Sequence, residues 1–212
     1  MSSDSPAANR AIFYVDGFNL YNGLRDDSGK KRLWLDLVAL AKNLRPNSNV
    51  VRVNYFTSPI AGAPESIRRQ QHYQYALKTK YPNLIKIIHG RHEPRDVECL
   101  SCSATWQHYE EKETDVNIAL SILQDAYSGA ADDMFIVSGD TDLLPAVRMA
   151  QTVNQKLFVT AAFPPARYSK AIQTELPSSF TIGDAKLRAS QLPEEFKDGL
   201  TQKMYKRPPG WK

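Results

Sequence analysis

The chain has only two cysteines in 212 residues, which excludes a disulfide-stapled fold. It has no apolar run of transmembrane length. Met1–Arg10 is polar and lacks the apolar core of a secretory signal. No Gly-x-Gly-x-x-Gly marks a dinucleotide site, and no Gly-x-Ser-x-Gly elbow marks a hydrolase of that type. Gly23–Lys30 resembles a phosphate loop but fails as one. Five residues, not four, separate Gly23 from Gly29, and Lys31 stands where Ser or Thr would coordinate magnesium. There are no repeats and no low-complexity tract. These absences argue against an NTPase, a nicotinamide enzyme and a membrane protein, and the expectation is a cytoplasmic chain.

What is present suits an ordinary globular protein, with 42% hydrophobic and 24% charged residues. The length allows one sizeable core and one domain. A net charge of +4 leans toward anionic partners without proving nucleic-acid binding. Apolar and β-branched runs predict strands at 11–16, 50–56, 84–89, 134–137, 156–161 and 180–182. Helical spacing predicts helices at 33–44, 63–81, 114–127, 142–152 and 166–174, with a short helix or loop at 19–24. Alternating strands and helices imply an α/β fold, a mostly parallel sheet covered on both faces. Residues 1–10 read as a flexible lead-in, 11–183 as the domain, with a cysteine-bearing insertion at about 90–110, and 184–212 as a tail. The part of that tail after Ser190 is expected to pack poorly.

Two strand ends carry the chemistry. Ile12–Val15 stops on Asp16-Gly17-Phe18-Asn19, and Met134–Val137 runs into Ser138-Gly139-Asp140-Thr141-Asp142. In open α/β sheets ligands bind beyond the carboxyl ends of the strands. Asp115 opens the helix that leads to the second of these strands. Carboxylates brought together resist joint ionisation, and a divalent cation removes that cost. Each acid alone also fits a bland role: Asp16, Thr114, Asp115 or Asp140 as a helix cap, and Asp142 as a complement to a helix dipole. Asn19 could orient water or a phosphate oxygen, or be a turn asparagine. Ser138 could bond a ligand or steady Asp140.

Tyr14–Asn19, Glu110–Val116 and Val137–Asp142 together resemble the three signature blocks of NYN domains, PIN-like nucleases of the LabA-type bacterial branch. The resemblance spans roughly residues 11–163. It implies a PIN-like three-layer α/β/α sandwich and metal-dependent ribonuclease activity on RNA. It matches Asp16, Asp115 and Asp140 to the ligands of Mg²⁺ or Mn²⁺, with Asn19 and Asp142 as accessory polar positions. Fold resemblance does not settle activity.

Cys99-Leu100-Ser101-Cys102 is a CxxC in an irregular or hairpin segment. With His92 and His108 it could form a structural Zn²⁺ site, or it could be two reduced thiols at a hairpin tip. Lys112, three residues before Asp115, is the leading phosphate-binding candidate. Arg167, after Pro164-Pro165, falls on the side where substrate would lie. Arg68, Arg69, Lys78, Lys80, Arg91 and Arg95 could bind backbone phosphates or form solvated faces. Trp34, Tyr55, Trp106 and Tyr109 could stack on bases or pack in the core.

The resulting expectation is hydrolysis of RNA phosphodiesters, with single strands or structured loops as targets and a homo-oligomer as a possible assembly. The rivals are a non-catalytic RNA- or nucleotide-binding module and a metal-dependent phosphatase acting on small phosphoesters.

Overall fold

The segment Ala11–Asp16 is buried along its whole length, as a strand must be when both faces of its sheet are covered. It forms β1 (Arg10–Asp16) of a computed structural model that describes residues 8–60 and 63–211. The elements that follow are α1 (Gly17–Ser28), α2 (Leu37–Leu44), β2 (Asn49–Thr57), α3 (Pro64–Lys80), β3 (Ile85–His89), β4 (Arg91–Glu98), β5 (Thr105–Lys112) and α4 (Thr114–Ser128). The second half adds β6 (Asp133–Val137), α5 (Leu144–Val153), β7 (Phe158–Phe163), α6 (Lys170–Glu175), β8 (Phe180–Thr181), α7 (Asp184–Ala189), β9 (Glu195–Lys197) and β10 (Met204–Lys206). Among the described residues no helix is long and apolar enough to cross a membrane.

Six strands form one sheet in the order β3-β2-β1-β6-β7-β8, and every pairing in it is parallel. From β1 the chain builds outward through β2 and β3, then returns to build the other half from β6. The order therefore reverses between β1 and β6, which makes the crevice beyond their carboxyl ends the favoured ligand site.

Side chains on β1 alternate between two cores. Ala11, Phe13 and Val15 pack with α1, α2 and α3, whereas Ile12 and Tyr14 pack with α4 and α5. This is the three-layer α/β/α arrangement. Phe13 and Phe135 stack across β1 and β6 with ring centroids 4.6 Å apart, and Tyr14 donates its hydroxyl to Asp125 on α4 at 2.7 Å.

Two expectations change. The helical spacing from Leu33 does not become helix until Leu37. Asp36 caps that start by accepting from Ala39 N at 2.9 Å, and Leu35 is held extended by a bridge to Gln191. The cysteine-bearing insertion takes the hairpin alternative, an antiparallel pair of β4 and β5.

The stretch after Ser190, expected to pack poorly, instead closes one core. Leu192 and Tyr205 are buried there. Trp34, only 1% exposed, donates its indole N–H to Pro193 O at 2.8 Å. Leu192 N in turn donates to Trp34 O at 2.9 Å.

Leu192→Ala should therefore cost about 2–5 kcal/mol in urea unfolding. A loosely attached tail would give a change within about 0.5 kcal/mol.

Candidate active site

Asp16 ends β1 and is only 4% exposed. Its Oδ1 accepts from Asn19 N at 3.0 Å, capping α1, and its Oδ2 accepts from the Ser138 hydroxyl at 2.9 Å. Ser138, fully buried after β6, in turn accepts from Asp140 N at 3.1 Å. Asn19 Oδ1 accepts from Gly139 N at 3.0 Å. The two strand ends are thus tied by one bond between side chains, Ser138 to Asp16, and one from backbone to side chain, Gly139 to Asn19. Gly139 is required by close approach: a Cβ there would sit 2.0 Å from Arg167 O.

Asp140 caps the 3-10 turn Thr141–Leu143 by accepting from Asp142 N at 2.9 Å. The capping roles weighed for Asp16 and Asp140 are therefore real. They do not compete with a ligand role, because a carboxylate oxygen has a lone pair left after one hydrogen bond.

Asp115 lies in the first turn of α4. Glu113, in the left-handed region at φ 73°, turns the chain sharply between β5 and that helix. Thr114, just after the turn, donates its hydroxyl to Glu111 at 2.6 Å and lies 3.2 Å from the Ser58 hydroxyl.

The electrostatics show which acids share the site. Burial pushes the Asp16 carboxyl up to about 6, against hydrogen bonds from Asn19 and Ser138 that favour its charge, with repulsion from Asp115 and Glu111 adding to the rise. Burial also raises Asp115, and Asp140, Glu111 and Asp142 raise it further. Asp16 is thus repelled by Asp115 and Glu111, and Asp115 by Asp140, Glu111 and Asp142. Glu111 joins them and was not singled out from the sequence. Its place depends on the β4–β5 pairing, which sets it opposite His92.

The expected phosphate-binding cations are engaged elsewhere. Lys112 Nζ binds Glu110 at 2.8 Å, and Arg167 pairs with Asp26. Arg167 does stand beside the strand ends, through its backbone contact with Gly139.

An oxygen-only anionic donor set, with no ion pair to these acids among the described residues, suits a hard divalent cation such as Mg²⁺ or Mn²⁺. Among the described residues no three His, Cys, Asp or Glu side chains converge tightly enough to enclose an ion by themselves. Mg²⁺ does not demand a protein cage, since it retains waters and takes substrate phosphate oxygens as ligands.

Among the described residues, Cys99 and Cys102 are not brought together with His92. Cys99 and Cys102 sit at the tip of the β4–β5 hairpin, with Cys99 N donating to Ala104 O at 2.9 Å. Hydrogen bonds from the backbone of Ser101 and Cys102, and then from the Cys102 side chain, lower the Cys99 thiol. His92 lies at the other end of β4, its ring against Pro59 O at 2.6 Å. The His108 side chain lies outside the described residues. Of the aromatics, Trp34 is core, while Trp106 and Tyr109 are exposed on the hairpin.

A cavity of about 440 Å³ adjoins the acids, with Gly17, Tyr55, Tyr73, Glu111 and Trp211 in its walls.

Asp16 holds its proton in the folded chain up to about pH 6, against an ordinary 3.8. Stability of the metal-free protein should therefore fall as pH rises between those values. In EDTA, Asp16→Asn should melt roughly 4–8 °C above wild type at pH 7, with the gain vanishing near pH 4 in a pH series of thermal melts. Equal melting temperatures at pH 7 would contradict the burial of an ionised Asp16.

Comparison with known proteins matches most of the chain. The curated 6-hydroxy-3-succinoylpyridine 3-monooxygenase HspA of Pseudomonas putida (strain DSM 28022 / S16) is 29% identical over 224 aligned residues, covering 87% of this chain and 70% of that protein. The family model described as NYN domain matches residues 10–181, which takes in β1, the hairpin, α4 and β6 with all five acids of the cluster. The chain belongs to the NYN domain family.

Proposed function

We propose that the chain is a metal-dependent ribonuclease whose site is the cluster of Asp16, Glu111, Asp115, Asp140 and Asp142. The observation that carries this reading is the switch-point position of Asp16 and Ser138–Asp140, joined by the Ser138 hydroxyl and facing further acids with no cation paired to them among the described residues. NYN membership supports a nuclease-like fold.

Asp16, Asp115 and Asp140 would hold Mg²⁺ or Mn²⁺. When bound, such an ion would offset charge on the scissile phosphate and acidify a water. The residues themselves supply position. Ser138 and the Asn19 backbone fix both oxygens of Asp16. Asn19 fixes Gly139, and with it the start of the Asp140 turn. Asp142, in that turn, can orient water beside the cluster.

A second reading has one observation in its favour. The relative's name states an oxidation of a pyridine, and the aromatic cavity beside the acids has the volume of a small-molecule site. It assigns the site to a small heteroaromatic substrate.

Labelled structured RNA, incubated with Mn²⁺, Mg²⁺ or EDTA, should be cleaved only with metal. Asp16→Asn and Asp115→Asn should each lower the rate by at least about 100-fold while their circular dichroism stays that of wild type. Equal cleavage by wild type and both variants would reject this site. Turnover of a hydroxypyridine with no RNA cleavage under any metal would put the second reading first.

A further inference from the structure

We propose that the cavity beside the acids is a binding site for a planar heteroaromatic ring, namely a nucleobase of the strand whose phosphate meets the acidic cluster. In that form the inference rests on the ribonuclease reading.

The cavity is formed by parts far apart in sequence: α1, the end of β2, α3, the hairpin and Trp211. Its walls are largely apolar and aromatic. Tyr73 and Tyr55 meet edge to face at 6.2 Å, and Trp211 meets Tyr73 edge to face at 5.7 Å. The Tyr73 hydroxyl is spent on Leu35 O at 2.6 Å, so this ring offers the cavity an apolar surface rather than a polar group. Tyr21 and Tyr109 stand at the rim, partly exposed. Such surfaces take any base by its π-face.

Glu111 lines the cavity and acts on Asp16 and Asp115, so a ring held here lies next to the proposed phosphate site. Arg69 also lines it and is shared with a shallow cleft bordered by Arg68, His72, Lys206 and Arg207. Arg69, Lys206 and Arg207 pair with Glu65, Glu195 and Glu194, whereas Arg68 makes no ion pair among the described residues. A cleft that shares Arg69 with an aromatic cavity and adds the unpaired Arg68 complements a base attached to a polyanionic backbone. A free neutral ring would have no use for that cleft. This favours the nucleobase as the source of the ring.

Ligand-observed NMR titration, in EDTA so that no bond is broken, would test the site with the four ribonucleosides, free ribose and a free hydroxypyridine. Wild type should bind at least one ribonucleoside and not ribose. Tyr109→Ala, which removes an exposed rim ring, should weaken that binding by about 5- to 100-fold. Ser66→Trp, which fills the cavity from the surface of α3, should abolish it, with unchanged melting curves for both variants. Binding of the hydroxypyridine alone, lost in Ser66→Trp, would uphold the ring site and assign it to a small molecule. No ring binding, or ring binding unaffected by Ser66→Trp, would overturn the proposal. Loss of RNA cleavage with ring binding intact would count against the ribonuclease reading only.

Discussion

A carboxylate that water scarcely reaches sits at the end of the central strand, and much of the local structure follows from having to hold it there. Asp16 is 4% exposed and faces other acids. Its charge is tolerated because two donors, the Asn19 backbone and the Ser138 hydroxyl, meet its two oxygens. Those donors are not enough to return it to an ordinary carboxylate, and its proton is retained to about pH 6. A buried carboxyl with so displaced a proton affinity, in a fold that is otherwise well packed, is characteristic of functional sites.

The surrounding elements serve that arrangement. Gly139 lets the 164–167 loop press against the β6 end. Glu113, in a conformation disfavoured for a residue with a side chain, turns β5 into α4 so that Glu111 and Asp115 lie on either side of one sharp bend. The hairpin and the C-terminal stretch then extend the crevice on the β2 side into an aromatic cavity. Acid chemistry and apolar recognition are thus neighbours, and Glu111 belongs to both.

Much of this was legible in the sequence, for local reasons. A buried strand that breaks on Asp-Gly or Ser-Gly-Asp announces its end in consecutive residues, so Asp16, Asn19, Ser138 and Asp140 could be read directly. Asp115 was legible as the first turn of a strongly periodic helix. Glu111 was not, because its membership depends on β4–β5 register rather than on its neighbours in sequence. The same holds for Trp34, read as a possible stacking surface but sealed by Pro193 and Leu192. Leu33–Asp36 carries helical spacing yet stays extended, since the Asp36 cap and the Leu35–Gln191 bridge outweigh periodicity. Lys112 and Arg167 lie near the site in sequence and in space, but their charges are taken by Glu110 and Asp26. Pairing of that sort is invisible without the fold.

The central claim is that mutual repulsion among Asp16, Asp115 and Asp140 is relieved by a divalent cation. The most direct measurement is melting temperature against Mn²⁺ concentration for wild type and Asp115→Asn. A cation bound by the folded state raises stability with the logarithm of its concentration above Kd. Wild type should show that rise, and Asp115→Asn should require at least about 10-fold more Mn²⁺ for the same shift. No rise in wild type, or the same rise in both proteins, would contradict the account.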